Sequence, residues 1–235
     1  MKKALFVLAL LPLLVLPQLA AANEDMHLDK APIDVSNHES LQRGARTFTN
    51  YCLNCHSVNY MRYNRLQEIG LTEQQIKDNL IFTGDKVGDL MKVAMNKKEA
   101  KTWFGVAPPD LSVEVRARGA DWIYSYMRGF YRDSTRPTGW NNTVYDKVAM
   151  PHIMYELQGE QTLNHETHEL TLTKPGKLSV AEYDALVGDL TNYLAFVSEP
   201  AKQQRNHMGW FVLLFLGVLL VLTYKLKKAY WKDIH

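Results

Sequence analysis

"NYCLNCHSVNYMRYNRL", residues 50–66, holds both cysteines of a chain of 235 residues, Cys52 and Cys55, with His56 directly after the second. Two thiols separated by two residues have four ordinary uses: a structural disulfide, half of a zinc site, a redox-active dithiol, or attachment of a c-type haem. A disulfide across so short a span closes a tiny loop and stabilises little. Zinc needs four ligands, and a second CxxC is missing. A thioredoxin-like dithiol usually sits at a helix start within an alternating βαβ pattern, and no such pattern surrounds this stretch. In Cys52-x-x-Cys55-His56 both thiols can add to the two vinyl groups of one porphyrin while His56 reaches the iron from one face. The spacing therefore predicts one covalently bound haem c.

The ends of the chain agree with an oxidising compartment. Lys2 and Lys3 precede the apolar run "ALFVLALLPLLVLPQL" and then Ala20, Ala21 and Ala22, the layout of a bacterial export signal over residues 1–22. Near the other end, "MGWFVLLFLGVLLVLTY" runs from Met208 to Tyr224 without a charge. Its 17 positions give about 25 Å, slightly less than a ~30 Å hydrocarbon core. Trp210 and Tyr224 suit an aromatic belt, and Lys225, Lys227 and Lys228 can snorkel to make up the difference. The pattern predicts a transmembrane anchor over 208–226 and a cytoplasmic tail over 227–235, placed by its lysines. Residues 23–207 are then expected in the periplasm, on a single-pass protein of the bacterial inner membrane.

Charge supports that division. Residues 23–207 carry 21 of the 27 Lys and Arg but 24 of the 25 Asp and Glu, a net of about −3, whereas the whole chain is +2. The positive balance comes from the two ends, so nothing favours nucleic acid as a partner. An exported part of about 185 residues is enough for one core.

Local patterns give a coarse architecture. Ser36-x-x-Glu39 reads as a capping box, and Leu41, Ala45, Phe48 and Cys52 follow on one helical stripe, so a helix delivers the first thiol to the porphyrin edge. Ser179-x-x-Glu182 caps a second helix, with Tyr183, Leu186, Val187, Leu190, Leu194 and Val197 as its apolar set and Pro200 as its stop. "WIYSYMRGFY", from Trp122 to Tyr131, is a third candidate, and "HELTLTKPGK" predicts a small hairpin turning at Pro175-Gly176. The expected fold is mainly α: a cytochrome c-like haem domain with a small hairpin and long loops, plus one C-terminal transmembrane helix.

An electron-transfer haem usually takes a sixth ligand from the protein, commonly a thioether. Met61 is too near the tethered loop and Met208 belongs to the anchor. Met91, Met95 and Met127 fall in helical-looking stretches, where methionine usually fills core. Met150, in "DKVAMPHIMYEL" and fixed by Pro151, is favoured, with Met154, His152 and a vacant position as alternatives. A histidine after a proline is otherwise expected at the surface or beside a propionate.

"CLNCHSVNYMRYNRL", "APPDLS" at 107–112, "VRARGADW" at 115–122, "VAMPH" at 148–152 and the single anchor resemble the cytochrome c1 family of the cytochrome bc1 complex, ubiquinol:cytochrome c reductase. The resemblance spans almost all of the exported chain and its anchor. It implies that His56 and Met150 are the axial ligands, that Arg118 faces a haem propionate with Trp122 beside it, and that Pro108 and Pro109 line the His56 side of the ring. It implies cytochrome b, a Rieske iron-sulfur protein and a cytochrome c acceptor as partners in a dimeric complex. The residues from Gly129 to Tyr145 are hard to match to longer members, and the large acidic block of some relatives is absent.

The resemblance implies a relay that takes single electrons from the Rieske protein and passes them to a cytochrome c, without a substrate site of its own. Two alternatives are a free-standing anchored cytochrome feeding a terminal oxidase and a thiol-disulfide oxidoreductase.

Overall fold

The computed structural model describes residues 28–232; the export signal expected over 1–22 lies outside them, as does the end of the tail. About half of the chain is helical, and the strands form three small antiparallel pairs. In chain order the elements are α1 (His38–Thr47), β1 (Val58–Arg62), α2 (Glu73–Asn79), β2 (Leu90–Met91), α3 (Lys97–Phe104), α4 (Glu114–Arg118) and α5 (Ala120–Arg128). They continue with β3 (Phe130–Arg132), β4 (Trp140–Asn142), α6 (Tyr155–Gln158), β5 (Gly159–Leu163), β6 (Leu170–Pro175), α7 (Val180–Ser198) and α8 (Lys202–Tyr230).

The core is built where α1 crosses α7. At the crossing Gly44 meets the backbone of Asp189 so closely that a Cβ on Gly44 would lie 2.1 Å from the Asp189 carbonyl oxygen. Only glycine allows that approach. Beside it Arg43 forks onto the Asp189 carboxylate at 2.6 and 3.0 Å, an exposed pair that adds at most about 1 kcal/mol. The larger contribution is apolar. Leu41, Ala45, Phe48 and Cys52 from the first helix and Tyr183, Val187, Leu190, Leu194 and Val197 from α7 are all buried in one cluster. Burying a Leu or Phe of this kind contributes roughly 1.5–3 kcal/mol. The stripe expected on the first helix is therefore the core stripe.

The caps differ in how well local sequence foretold them. At α7 the Ser179 hydroxyl accepts from Glu182 N and the Glu182 carboxylate accepts from Ser179 N, the reciprocal box expected. At α1 the cap is one residue later than expected: Asn37 accepts from Ser40 N, while the Ser36 hydroxyl donates to Asp34. Ser36 finds its acceptor two residues upstream, a local bond that competes with capping.

The hairpin is real but its turn is elsewhere. β5 pairs with β6, and the chain reverses over 164–169, where Asn164 accepts from Glu166 N and Thr167 N and His168 adopts φ 57°. Pro175 lies opposite Gly159 at the end of the ladder instead of in the turn. The "WIYSYMRGFY" helix is α5, which begins at Ala120 and ends at Arg128; Phe130 and Tyr131 belong to β3. β3 and β4 form a second hairpin, held against α5 by the Asn142 side-chain amide, which donates to the Tyr126 carbonyl at 2.7 Å.

α8 is the one helix among the described residues long and apolar enough to cross a membrane. Its 29 residues span about 43 Å, so the uncharged run lies within a longer rod. None of its residues is buried, and a row of large apolar side chains from Trp210 to Leu226 faces outward.

Candidate functional site

Helix α1 ends in a single π-helical turn, Phe48–Cys52, in which Leu53 N–H donates to the Phe48 carbonyl five residues back at 3.0 Å. Such turns recur at functional sites because the extra residue re-aims the chain beyond it. Here it keeps Phe48 and Cys52 both inside and starts the CxxCH turn. The Cys52 carbonyl then accepts from Cys55 N at 3.0 Å and His56 N at 2.8 Å, which folds the motif back on itself. Cys52 is buried and Cys55 half-buried.

"APPDLS" docks along the next strand. Leu111 N donates to Ser57 O at 2.9 Å, Asn59 N to the Asp110 carboxylate at 2.9 Å, and Tyr60 N to the Ser112 hydroxyl at 3.2 Å. This brings the Pro109 carbonyl to 2.8 Å from His56 Nδ1. A carbonyl can only accept, so Nδ1 carries the proton and Nε2 keeps a free lone pair. Burial also lowers the His56 pKa, favouring neutral imidazole. A buried neutral imidazole whose second nitrogen is held by a carbonyl is the usual arrangement of a metal-ligating histidine.

Met150 lines the same cleft as His56. Tyr51, Cys55, His56, Pro108, Pro109 and Met150 line one cleft with a cavity volume of about 90 Å³, completed by Phe104, Val106, Ala149, Pro151 and Ile153. Its lining is almost wholly apolar. A soft thioether and an imidazole nitrogen at one apolar cleft, with Cys55 in its lining and Cys52 buried three residues before it, fit a haem of the c type. Tyr126, in α5, donates its O–H to Met150 Sδ at 3.4 Å. Burial raises the Tyr126 pKa, so this phenol remains a donor.

The competing ligands are elsewhere. Met154 is wholly buried in the main core cluster and does not line the cleft. His152, expected at the surface or beside a propionate, is 1% exposed, stacked on Phe130 at 4.7 Å and edge-on to Trp140 at 4.9 Å. Burial pushes its pKa down to about 4, and neither ring nitrogen has a hydrogen-bond partner among the described residues. Met127 is a core residue on α5 and Met91 a core residue on β2 instead of a helix, whereas Met95 lies outside any helix, is only half-buried and lines a small cleft beside Cys55.

Arg118 and Trp122 do not line the cleft. Arg118 pairs with Glu114 at 2.8 Å and lies 4.5 Å over the Trp122 ring, which stacks on Tyr126 at 4.9 Å. They form a stack that reaches Met150 only through Tyr126. Tyr126 and Phe104 escaped the sequence reading; the i, i+4 spacing of Trp122 and Tyr126 on one helix was the available signal.

The thiols argue against dithiol chemistry. Burial pushes the Cys52 thiol up to about 12 and raises Cys55 as well, whereas a redox-active pair needs a stabilised thiolate.

A helical domain closing an apolar cleft between a CxxCH histidine and a methionine, with one apolar C-terminal helix, has the architecture of a c-type cytochrome. Residues 29–234 match the Cytochrome C1 family, and the chain belongs to that family. It is 46% identical to cytochrome c1 of Allochromatium vinosum, over 97% of this chain and 98% of that one. It is 54% identical to a Nitrosomonas europaea protein named ammonia monooxygenase gamma subunit, over 96% and 97%. Cytochrome c1 of Rhodospirillum rubrum is 28% identical over 83% and 81%. Membership in the family implies a haem c cofactor.

Proposed function

We propose that the chain is a membrane-anchored monohaem cytochrome that relays single electrons from a Rieske iron-sulfur protein to a cytochrome c within a dimeric ubiquinol:cytochrome c reductase containing cytochrome b. The observation that carries this reading is the cleft shared by His56 and Met150, with His56 Nδ1–H committed to Pro109 and Met150 Sδ accepting from Tyr126. Residues 1–22 act as the export signal, 23–207 as the periplasmic domain, 208–226 as the anchor and 227–235 as the cytoplasmic tail.

Haem c, when bound, supplies a one-electron ferric and ferrous couple. Cys52 and Cys55 hold it by thioether bonds, each S–H adding across one vinyl group. His56 Nε2 and Met150 Sδ would be the donors to its iron. The apolar walls, Pro108 and Pro109 among them, exclude water and so favour the less charged reduced state. Arg118, beside Trp122, would be the propionate partner, although its guanidinium pairs with Glu114 outside the cleft lining.

Tyr126 tunes the sulfur. Its hydrogen bond draws electron density from the thioether and favours the ferrous form, so Tyr126→Phe should lower the potential. Complete loss of a bond of about 1 kcal/mol corresponds to about 40 mV for one electron. Potentiometric titration of the purified variant checks this, and an unchanged or raised potential would exclude the role.

The 54% identical relative favours a second reading, a subunit of a monooxygenase assembly. One experiment separates the readings. Mild detergent extraction through a tag on this chain should bring down a cytochrome b and an iron-sulfur subunit, and the α-band spectrum of the eluate should contain b-type and c-type haem together. Recovery of the chain alone would support a free-standing cytochrome, and recovery with other subunits of a monooxygenase would support the monooxygenase reading.

A further inference from the structure

Helix α3 runs along the margin of the His56–Met150 cleft. Phe104 at its end lines that cleft. Lys97 and Ala100 line a second, narrower cleft that shares Cys55 and Pro108 with the first. The helix is thus anchored over the cysteine turn by its buried Ala100 and by Phe104, and its remaining residues are exposed.

Those side chains are unlike the rest of the domain. Between Met91 and Ala107 there are four lysines, Lys92, Lys97, Lys98 and Lys101, against one acid, Glu99, in a domain whose overall balance is negative. All four lysines are exposed, and none forms an ion pair among the described residues. The other acids nearby are committed. Asp110 accepts from Asn59 N and Ser112 N, and Glu114 binds Arg118. Asp110 keeps its charge and lines the small cleft with Lys97, yet the four lysines outnumber Glu99 and Asp110, so a net positive charge borders the cleft.

In the same surface Trp103 is 62% exposed and Val106 50% exposed, an apolar centre within a charged rim. An exposed tryptophan with lysines around it has the composition of a protein docking face, where the aromatic gives lifetime and the charges steer approach.

We propose that α3 and the segment after it form the docking face for the electron acceptor, and that the acceptor presents an acidic face to it. This rests on the relay function proposed above and identifies the partner by charge. A basic acceptor would be repelled by Lys97, Lys98 and Lys101.

The test uses the detergent-solubilised complex with its haem reduced, mixed in a stopped-flow instrument with either a strongly acidic or a strongly basic soluble c-type cytochrome. The acidic protein should react faster, with a rate that falls as ionic strength rises. K97E/K98E/K101E should slow it at least ~10-fold, the low end of electrostatic steering, and speed the basic one. The neutral K97Q/K98Q/K101Q variant should fall between. Binding of redox-inert zinc-porphyrin forms of both cytochromes, measured by surface plasmon resonance, should change in the same order. Trp103→Ala should shorten the bound lifetime and leave the salt dependence unchanged. The haem potential and spectrum should be the same in all variants.

A faster basic cytochrome, a salt-independent acidic one, or a glutamate variant equal to the wild type would overturn the docking face and leave the relay standing. Loss of the membrane partners from the glutamate variant would also overturn it, making α3 a subunit contact. A reduced complex that passes electrons to neither cytochrome overturns both the relay and the docking face.

Discussion

Cells producing the Cys52→Ser/Cys55→Ser chain should contain no haem-staining band at its mass and much less of the protein than cells producing the wild type. Two effects combine. Cys52 sits in the main core cluster between Phe48 and the α7 residues, so a serine there places a hydroxyl in apolar surroundings, at a cost of about 1–3 kcal/mol. On the proposed attachment, loss of the haem also leaves the apolar walls of the Tyr51–Met150 cleft uncovered. With total stabilities of roughly 5–15 kcal/mol, the sum is enough to send the domain to proteolysis.

The pair of single variants separates these effects. Cys55 is half-buried, so Cys55→Ser should keep one thioether and a stable domain, whereas Cys52→Ser should be less abundant. A Cys52→Ala/Cys55→Ala chain removes the hydroxyl contribution and should still be haem-free and protease-sensitive. Immunoblotting beside a haem stain reads all four. Normal amounts of a folded, haem-free double variant would show that the domain needs no haem for its core and would end this account.

Legibility in the sequence falls off with distance along the chain. The α7 cap, its apolar set and its stop before Pro200 lie within one helix, and all were readable. So was the core stripe ending at Cys52, because four residues at helical spacing carry it. Ser36 misled by one position because its hydroxyl turns back to Asp34, a choice that capping statistics do not distinguish. Pro175-Gly176 misled because both residues are common in turns, while Asn164 made the turn through its side chain. The contacts that shape the site were out of reach. Tyr126 and Met150 are 24 residues apart, and His56 and Pro109 are 53 apart. Periodicity says nothing about which loops meet. Nothing in the sequence singled out Trp103 and its lysines, and only the fold sets α3 against Cys55 and Pro108.

Met150→Leu should leave the haem covalently attached and open its sixth position. Leucine conserves most of the volume, so the fold should persist, with a stability cost under about 1.5 kcal/mol. Thioether sulfur is a soft, neutral donor that favours ferrous iron, and its loss should lower the potential by at least ~0.1 V, within the ~0.8 V that axial ligands control. Carbon monoxide should then bind the reduced form, and electron transfer from quinol to cytochrome c should stall before this haem. His152 cannot take over, because its ring lies flat against Phe130 with Trp140 at its edge, away from the cleft. Met154→Leu is the matched control: the same exchange four residues on, in a side chain wholly buried in the core. It should cost a similar amount of stability and leave potential and carbon monoxide exclusion untouched. Redox titration and carbon monoxide difference spectra of the two variants decide the matter. A native potential in Met150→Leu together with carbon monoxide binding in Met154→Leu would move the ligand into the core, away from the apolar cleft that His56 and Met150 share.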